Sequence, residues 1–336
     1  MNDPTYTAAE NRYDNGMKYR RCGHSGILLP EISLGLWQNF GDTTPEAQSR
    51  EILHYAFDRG ITHFDLANNY GPSPGSAEET FGRTMRRSLA PYRDEILVST
   101  KAGHDMWPGP YGSWGSRKHL TASIDQSLRR MRLEYVDIFY IHRYDPSTPL
   151  EETLQTLVDL VRQGKTLYVG ISKFPKEAAE TACRYLAEHD TPCLLHQARY
   201  NLFDRTPEET GVLRQAAQLG TGFIAFSPLA QGLLTDRYLH GIPEDSRAAR
   251  NAFLKREQIT DEVLRKTVRL NALAARRGQS LAGMALAWLL KDGQVSSVIV
   301  GSSSVAQLEQ NIRATENTAF SPEELAEIDR ICRGDA

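Results

Sequence analysis

Four residues in the first half of the chain carry the side chains needed to protonate an oxygen that is becoming an alkoxide: Asp65, Tyr70, Lys101 and His142. Tyr70 is the acid of the set. A free phenol titrates near ~10, too high for efficient proton donation at neutral pH. A nearby ammonium favours the phenolate and is expected to lower that value. A lysine withdrawn from water needs a counter-ion, because an unpaired buried charge is costly, and Asp65 supplies one. An imidazole on the next element orients a carbonyl or shares the proton. Together these groups form the acid half of a carbonyl reduction. The hydride must come from a cofactor, since no side chain donates one.

Such residues act together only if separate elements bring them to one place. Strand-like runs occur at 31–37, 61–67, 95–101, 135–142, 166–172, 193–197, 222–227 and 296–301. Helical patterns lie between them, as at 45–59, where Pro45 stands near the first turn and Gly60 follows the end. Ser76 is the expected N-cap of a helix running to about Ser88. Further helices are expected at 120–131, 149–162, 175–188, 208–219, 260–276, 280–291, 304–315 and from Pro322 onward, with a long polar insert at 228–258.

This alternation predicts an α/β fold, a closed (β/α)8 TIM barrel with long loops on its C-terminal rim. A short hairpin, 17–22 with 27–29, precedes the barrel. Residues 1–16 read as an N-terminal arm and 17–336 as a single barrel domain. The parallel strands end on one rim, delivering Asp65, Lys101, His142, Ser172, Gln197, Ser227 and the run Gly301-Ser302-Ser303. No G-x-G-x-x-G or phosphate-loop fingerprint occurs, which argues against a doubly wound open sheet.

Composition narrows the remaining classes. The 336 residues carry a net charge of -3, which gives no electrostatic footprint for nucleic acid or an anionic membrane. No apolar run approaches the ~18 residues of a membrane span. The polar start, MNDPTYTAAENRYDNG, lacks a signal-peptide core. Four scattered cysteines without C-x-x-C fit a reduced, cytoplasmic protein, and nine histidines show no metal-ligand spacing, so no metal is expected.

The motifs THFDLANNYG, STKAG, YVDIFYIHR, GISKF, AFSPLAQGLLT and VIVGSSSVAQLEQNI, in this order, resemble the aldo-keto reductase superfamily over about residues 17–332. GPYGS, SRK and SPLAQGLL resemble the bacterial branch that reduces L-glyceraldehyde 3-phosphate and methylglyoxal, related to the β subunits of voltage-gated potassium channels. The resemblance implies a barrel that binds NADPH/NADP+, with Tyr70 as proton donor and Asp65, Lys101 and His142 completing a tetrad. It implies that Ser172 and Gln197 hold the nicotinamide amide, Phe226 stacks on the ring, and Asp65 and Trp37 border it. Ser227, Pro228, Leu229, Gln231 and Gly232 would follow the pyrophosphate. Gly301, Ser303, Gln307 and Asn311 would meet the adenosine end, and Arg237 and Arg247 are basic positions of the long loop. Trp37, Tyr70, His142 and Trp107 would face a small aldehyde. Homo-oligomers, tetramers or larger, are implied as well.

The chain departs from that pattern in places. Phe226 stands where tryptophan or tyrosine is common, so stacking survives without a ring hydrogen bond. Ser302-Ser303-Ser304-Val305 lacks the cation that follows the last strand in many relatives, leaving Arg237 and Arg247 to recognise the 2′-phosphate. His142 replaces the asparagine of the channel β subunits and favours turnover. The alternative is an NADPH-binding redox sensor that acts on a protein partner and turns over slowly. Trp107, Tyr111 and Trp114 either wall the substrate pocket or pack the loop. Arg117 and Lys118 either attract a phosphorylated substrate or open a solvated helix.

Overall fold

The computed structural model describes residues 6–239, 241–243, 249 and 254–334. A two-stranded antiparallel hairpin, β1 (Tyr19–Arg21) and β2 (Leu28–Pro30), comes first. Then follow β3 (Ile32–Gly35), β4 (His63–Asp65), β5 (Leu97–Ala102), β6 (Val136–Ile141), β7 (Thr166–Ser172), β8 (Cys193–Arg199), β9 (Gly222–Phe226) and β10 (Ser297–Val300). These eight strands pair in parallel in chain order, and β10 returns to β3 to close the barrel. Helices pack around it, so the (β/α)8 barrel and its hairpin are as the sequence pattern predicts. No helix among the described residues is long and apolar enough to cross a membrane.

Two apolar layers hold the barrel. The outer layer lies between strands and helices and runs from Ala8 to Ile331. The inner layer comprises Ile138, Tyr140, Leu195, Ile224 and Ile299, closed from below by Cys22 and Leu29 of the hairpin. Gly170 makes room in it: a Cβ there would lie 2.4 Å from the Tyr140 ring. The N-terminal arm docks on the outside. Tyr6 donates to Asp58 at 3.0 Å, the Ala8 amide donates to the Tyr92 hydroxyl at 2.9 Å, and Arg12 pairs with Glu95 at 2.6 Å.

Element ends differ from the sequence reading where one residue sets the backbone. Gly75, with φ 93°, caps helix Ser76–Thr84; Ser76 is its first residue, and its hydroxyl donates back to the Ser73 carbonyl. The helix expected from Leu120 starts at Arg117, because the Ser116 hydroxyl caps it by accepting from the His119 amide. The stretch 208–219 breaks into Thr206–Glu209 and Val212–Gln218 at Gly211, whose φ of 78° suits glycine. The first barrel strand is shorter than 31–37 and leaves Trp37 on the loop beyond it.

Candidate active site

The floor of the C-terminal rim is a buried ion pair. Asp65 ends β4, and Lys101 lies near the end of β5. The Lys101 ammonium donates to Asp65 Oδ2 at 2.7 Å and to the Leu66 carbonyl at 2.5 Å. Both residues are at most 1% exposed. The other carboxylate oxygen accepts from Ser99 Oγ at 2.8 Å and Gln197 Nε2 at 3.2 Å.

Behind Ser99 runs a line of buried polar contacts. His63 Nε2 lies 3.0 Å from Ser99 Oγ, His63 Nδ1 lies 2.8 Å from Ser33 Oγ, and Ser33 Oγ lies 2.6 Å from Ser297 Oγ. Proton counting fixes their direction. A carboxylate only accepts, so Ser99 donates to it, and the Ser99 oxygen accepts from His63 Nε2–H. Burial pushes the His63 pKa down to about 4, so the ring is neutral and its Nδ1 accepts from Ser33. Ser33 in turn accepts from Ser297. Every dipole along the line therefore points toward Asp65, an arrangement in which hydrogen bonds reinforce one another.

Tyr70 and His142 stand above this floor. The Lys101 ammonium lies 4.9 Å from the Tyr70 ring centre, and the Tyr70 and His142 rings meet edge-on at 5.8 Å. The expected lowering of the Tyr70 pKa is not found in this arrangement. Burial, followed by the Asp65 charge, raises it well above the usual phenol value. The ammonium is committed to Asp65 and Leu66 and faces the ring. Tyr70 thus keeps its proton at neutral pH. His142 is pulled well below the ordinary histidine value, first by burial and then by the charges of Lys101 and Lys173. Its ring is neutral, and its Nδ1 is buried with no hydrogen-bond partner among the described residues.

A cleft of about 1530 Å³ opens over the tetrad and runs to the far side of the rim. Trp37, Asp65, Tyr70, His142, Gln197 and Phe226 line its inner end; Ser227, Pro228, Leu229, Gln231, Gly232 and Arg237 line one wall; Gly301, Ser303, Gln307 and Asn311 lie beyond. Ser172, fully buried, ends β7 beside Gln197, with which it pairs in register. The wall is unusual backbone: Ser227, Ala230 and Gln231 have φ of 52°, 46° and 60°. Such left-handed residues cost roughly 1–3 kcal/mol each and cluster at ligand sites. At the outer end Ser304 caps helix Val305–Ile312, leaving a helix N-terminus beside the cleft.

The cleft's donor set fits a dinucleotide. Gln231 Oε1, in the cleft wall, and Ser172 Oγ, beside Gln197 but not itself lining the cleft, are buried without hydrogen-bond partners among the described residues. The hydroxyl can donate to an amide oxygen, and the Gln231 oxygen can accept from a ribose hydroxyl. Arg247 falls outside the described residues. Trp107 is not among the residues lining the cleft; its ring packs on His119, with centres 4.9 Å apart. Tyr111 and Trp114 are 60% and 44% exposed. Arg117 pairs with Asp159 on the next helix. The sequence reading passed over Asn69, His104, Lys173 and Arg199, all of which line the inner cleft. A signal existed for Arg199, two residues beyond Gln197 on the same strand and so on the same face. Among the described residues no three His, Cys, Asp or Glu side chains are placed to hold a metal ion.

A closed parallel barrel with an acid, a lysine–aspartate pair and an imidazole on its C-terminal rim, beside a dinucleotide-sized cleft, defines an oxidoreductase of carbonyl groups. The chain matches the Aldo/keto reductase family over residues 31–333 and belongs to that family. It is 55% identical over 329 residues to the L-glyceraldehyde 3-phosphate reductase of Escherichia coli O157:H7, covering 97% of this chain and 95% of that protein. It is 35% identical over 306 residues to a probable voltage-gated potassium channel subunit beta of Arabidopsis thaliana, covering 89% of this chain and 92% of that one. The protein is thus an aldo-keto reductase, an enzyme of aldehyde reduction, and its family generally uses NADP(H).

Proposed function

We propose that the enzyme reduces small aldehydes, glyceraldehyde 3-phosphate and methylglyoxal among them, with NADPH as reductant. The observation that carries this reading is the buried Lys101–Asp65 pair, 2.7 Å long, placed under the ring of Tyr70 and beside a neutral His142. NADPH, when bound, supplies the hydride from its nicotinamide C4. Ser172 and Gln197 would hold its amide, Phe226 its ring face, and Ser227 to Gly232 its diphosphate. Gly301, Ser303, Gln307 and Asn311 would take the adenosine end, with Arg237 and Arg247 for the 2′-phosphate.

The chain's own residues carry the rest of the chemistry. Neutral His142 orients the carbonyl oxygen toward Tyr70. The Tyr70 hydroxyl then gives its proton to that oxygen as negative charge develops there. The resulting phenolate has the Lys101 ammonium facing its ring, 4.9 Å from the ring centre, with Asp65 as that ammonium's counter-ion. Trp37 borders both ligands and helps exclude water. Low dielectric strengthens each of these interactions at the moment charge moves.

The test follows NADPH absorbance with glyceraldehyde 3-phosphate, methylglyoxal and 4-nitrobenzaldehyde, for wild type and Tyr70→Phe. Wild type is expected to turn over all three. The variant is expected to bind NADPH and lose about 10²–10⁴-fold in kcat, the usual worth of a positioned acid. Turnover by Tyr70→Phe at wild-type rates removes Tyr70 from its role. NADPH binding without reduction of any aldehyde favours a redox-sensing module that acts on a protein partner.

A further inference from the structure

We propose that Lys173 and Arg199 form a phosphate-monoester subsite on the rim, which grips the phosphate of a phosphorylated aldehyde while its carbonyl lies between Tyr70 and His142. This deepens the function proposed above and rests on it.

Strand geometry brings the two cations together. Ser172 pairs with Gln197 in register, and the next amide, that of Lys173, donates to the Gln197 carbonyl at 3.0 Å. Lys173 then turns off the strand with a left-handed φ of 58°. On β8, Gln197 points inward to Asp65, so Arg199 projects on the same side one pleat higher, at the mouth. The Lys173 ammonium lies 3.4 Å from His104 Nε2, and the His104 ring stands edge-on to His142 at 4.4 Å. His104 has its pKa pushed down to about 4, mainly by burial, so its Nε2 accepts from the ammonium and orients it. The cationic mouth is thus one imidazole away from the group that orients the carbonyl.

Among the described residues these cations have no counter-charge. Neither Lys173 nor Arg199 forms an ion pair with any described carboxylate. Asp105, beside His104 in the chain, is held by Ser113 at 2.6 Å and faces Arg143 at 3.6 Å. The charges that act on Lys173 are Lys101, Arg199 and Arg143, all positive; together with burial, the larger cause, they pull its pKa down to about 8. The Lys173 side chain is exposed at the concave mouth while its ammonium sits against His104 at 3.4 Å and the Phe226 ring at 5.5 Å, so its burial is partial and an anion can still reach it. An ammonium and a guanidinium fork suit a doubly charged phosphate, which accepts from both at once. Two sources share that chemistry: the phosphate of the substrate and the diphosphate of the dinucleotide.

The experiment measures kcat/KM for glyceraldehyde 3-phosphate and for unphosphorylated glyceraldehyde, with the NADPH Kd, in wild type, Lys173→Met and Arg199→Gln. Each variant is expected to lower the ratio of phosphorylated to unphosphorylated kcat/KM by about ten- to a hundredfold, the scale of one charge-assisted hydrogen bond. An unchanged ratio overturns the proposal; if the NADPH Kd weakens at the same time, the cations belong to the cofactor. If wild type reduces no aldehyde, the function proposed above fails instead. The subsite is then read from the thermal shift given by inorganic phosphate. A shift lost in Lys173→Met upholds the anion site, and an equal shift in both proteins overturns it.

Discussion

Lys101 and Lys173 both stand at the C-terminal ends of barrel strands, yet they live in opposite surroundings. Lys101 is fully buried with a carboxylate at 2.7 Å and a carbonyl at 2.5 Å. Lys173 opens into the cleft with an imidazole at 3.4 Å, the Phe226 ring centre at 5.5 Å and, among charged groups, only cations acting on it. Burial lowers the pKa of both, but only at Lys101 does a protein carboxylate pull the other way. In the proposed function the first lysine is a completed part of the machine. In the proposed subsite the second is completed by what binds. The difference separates reaction chemistry, which must be pre-set, from recognition, which a substrate can finish.

The largest effect should come from breaking the completed side. Lys101→Met leaves the Asp65 carboxylate buried with only Ser99, Gln197 and the polar line behind them. Removing one partner of a buried pair typically costs about 3–5 kcal/mol. Urea unfolding should show a loss of that order, and turnover should fall with it, as for Tyr70→Phe. If stability drops by less than about 1 kcal/mol, the level of a solvent-exposed pair, the floor is wetter than its geometry implies.

A smaller effect, and a sign, is expected on the open side. Lys173 has a folded pKa of about 8, below its ordinary value of 10.5. It is protonated and able to hold an anion below that pH, and it loses the ability as pH rises through it. The preference for glyceraldehyde 3-phosphate over glyceraldehyde should therefore fall between pH 7 and about 9.5 in wild type and stay flat in Lys173→Met. Bound phosphate favours the ammonium, so the midpoint should move upward at saturating substrate. Lys101 does not confuse the profile, since its loss would lower both rates alike. A ratio that is flat with pH in wild type would take Lys173 out of anion recognition.

The two regions also differ in how far they were legible. Asp65, Lys101 and His142 could be read because each ends a strand whose apolar run is unmistakable, and parallel closure sends all such ends to one rim. The line from Ser297 through Ser33 and His63 to Ser99 could not. Its members are isolated polar residues in separate strands, and Ser297 meets Ser33 only because β10 pairs with β3 across the whole chain. Lys173 lies inside the GISKF motif, where a lysine after a strand ordinarily reaches water. Its significance lies in the lack of a counter-charge among the described residues, which no motif displays. Trp107 illustrates the converse: a large aromatic near the rim invites a binding role, but its ring found His119. The direction of the Tyr70 pKa shift is not legible either, because the sequence places an ammonium nearby without showing that Asp65 and Leu66 take its hydrogen bonds.

Arg117 provides the smallest expected effect and the sharpest control on the comparison. Like Lys173 it is a cation near the rim loop, and the sequence left open whether it attracts phosphate. Unlike Lys173 it is already paired, with Asp159 on the neighbouring helix, and its amide donates to Glu152 at 2.9 Å. It is also well exposed and absent from the residues lining the cleft. An exposed pair is worth roughly 0–1 kcal/mol because solvent screens it and two long side chains must be ordered. Arg117→Ala should thus cost no more than that in urea unfolding and leave the ratio of phosphorylated to unphosphorylated kcat/KM within about twofold, a change below RT ln 10 of ~1.4 kcal/mol. If Arg117→Ala lowers the ratio as much as Lys173→Met does, anion recognition is a long-range property of the whole face, and a missing counter-charge at the mouth no longer explains it.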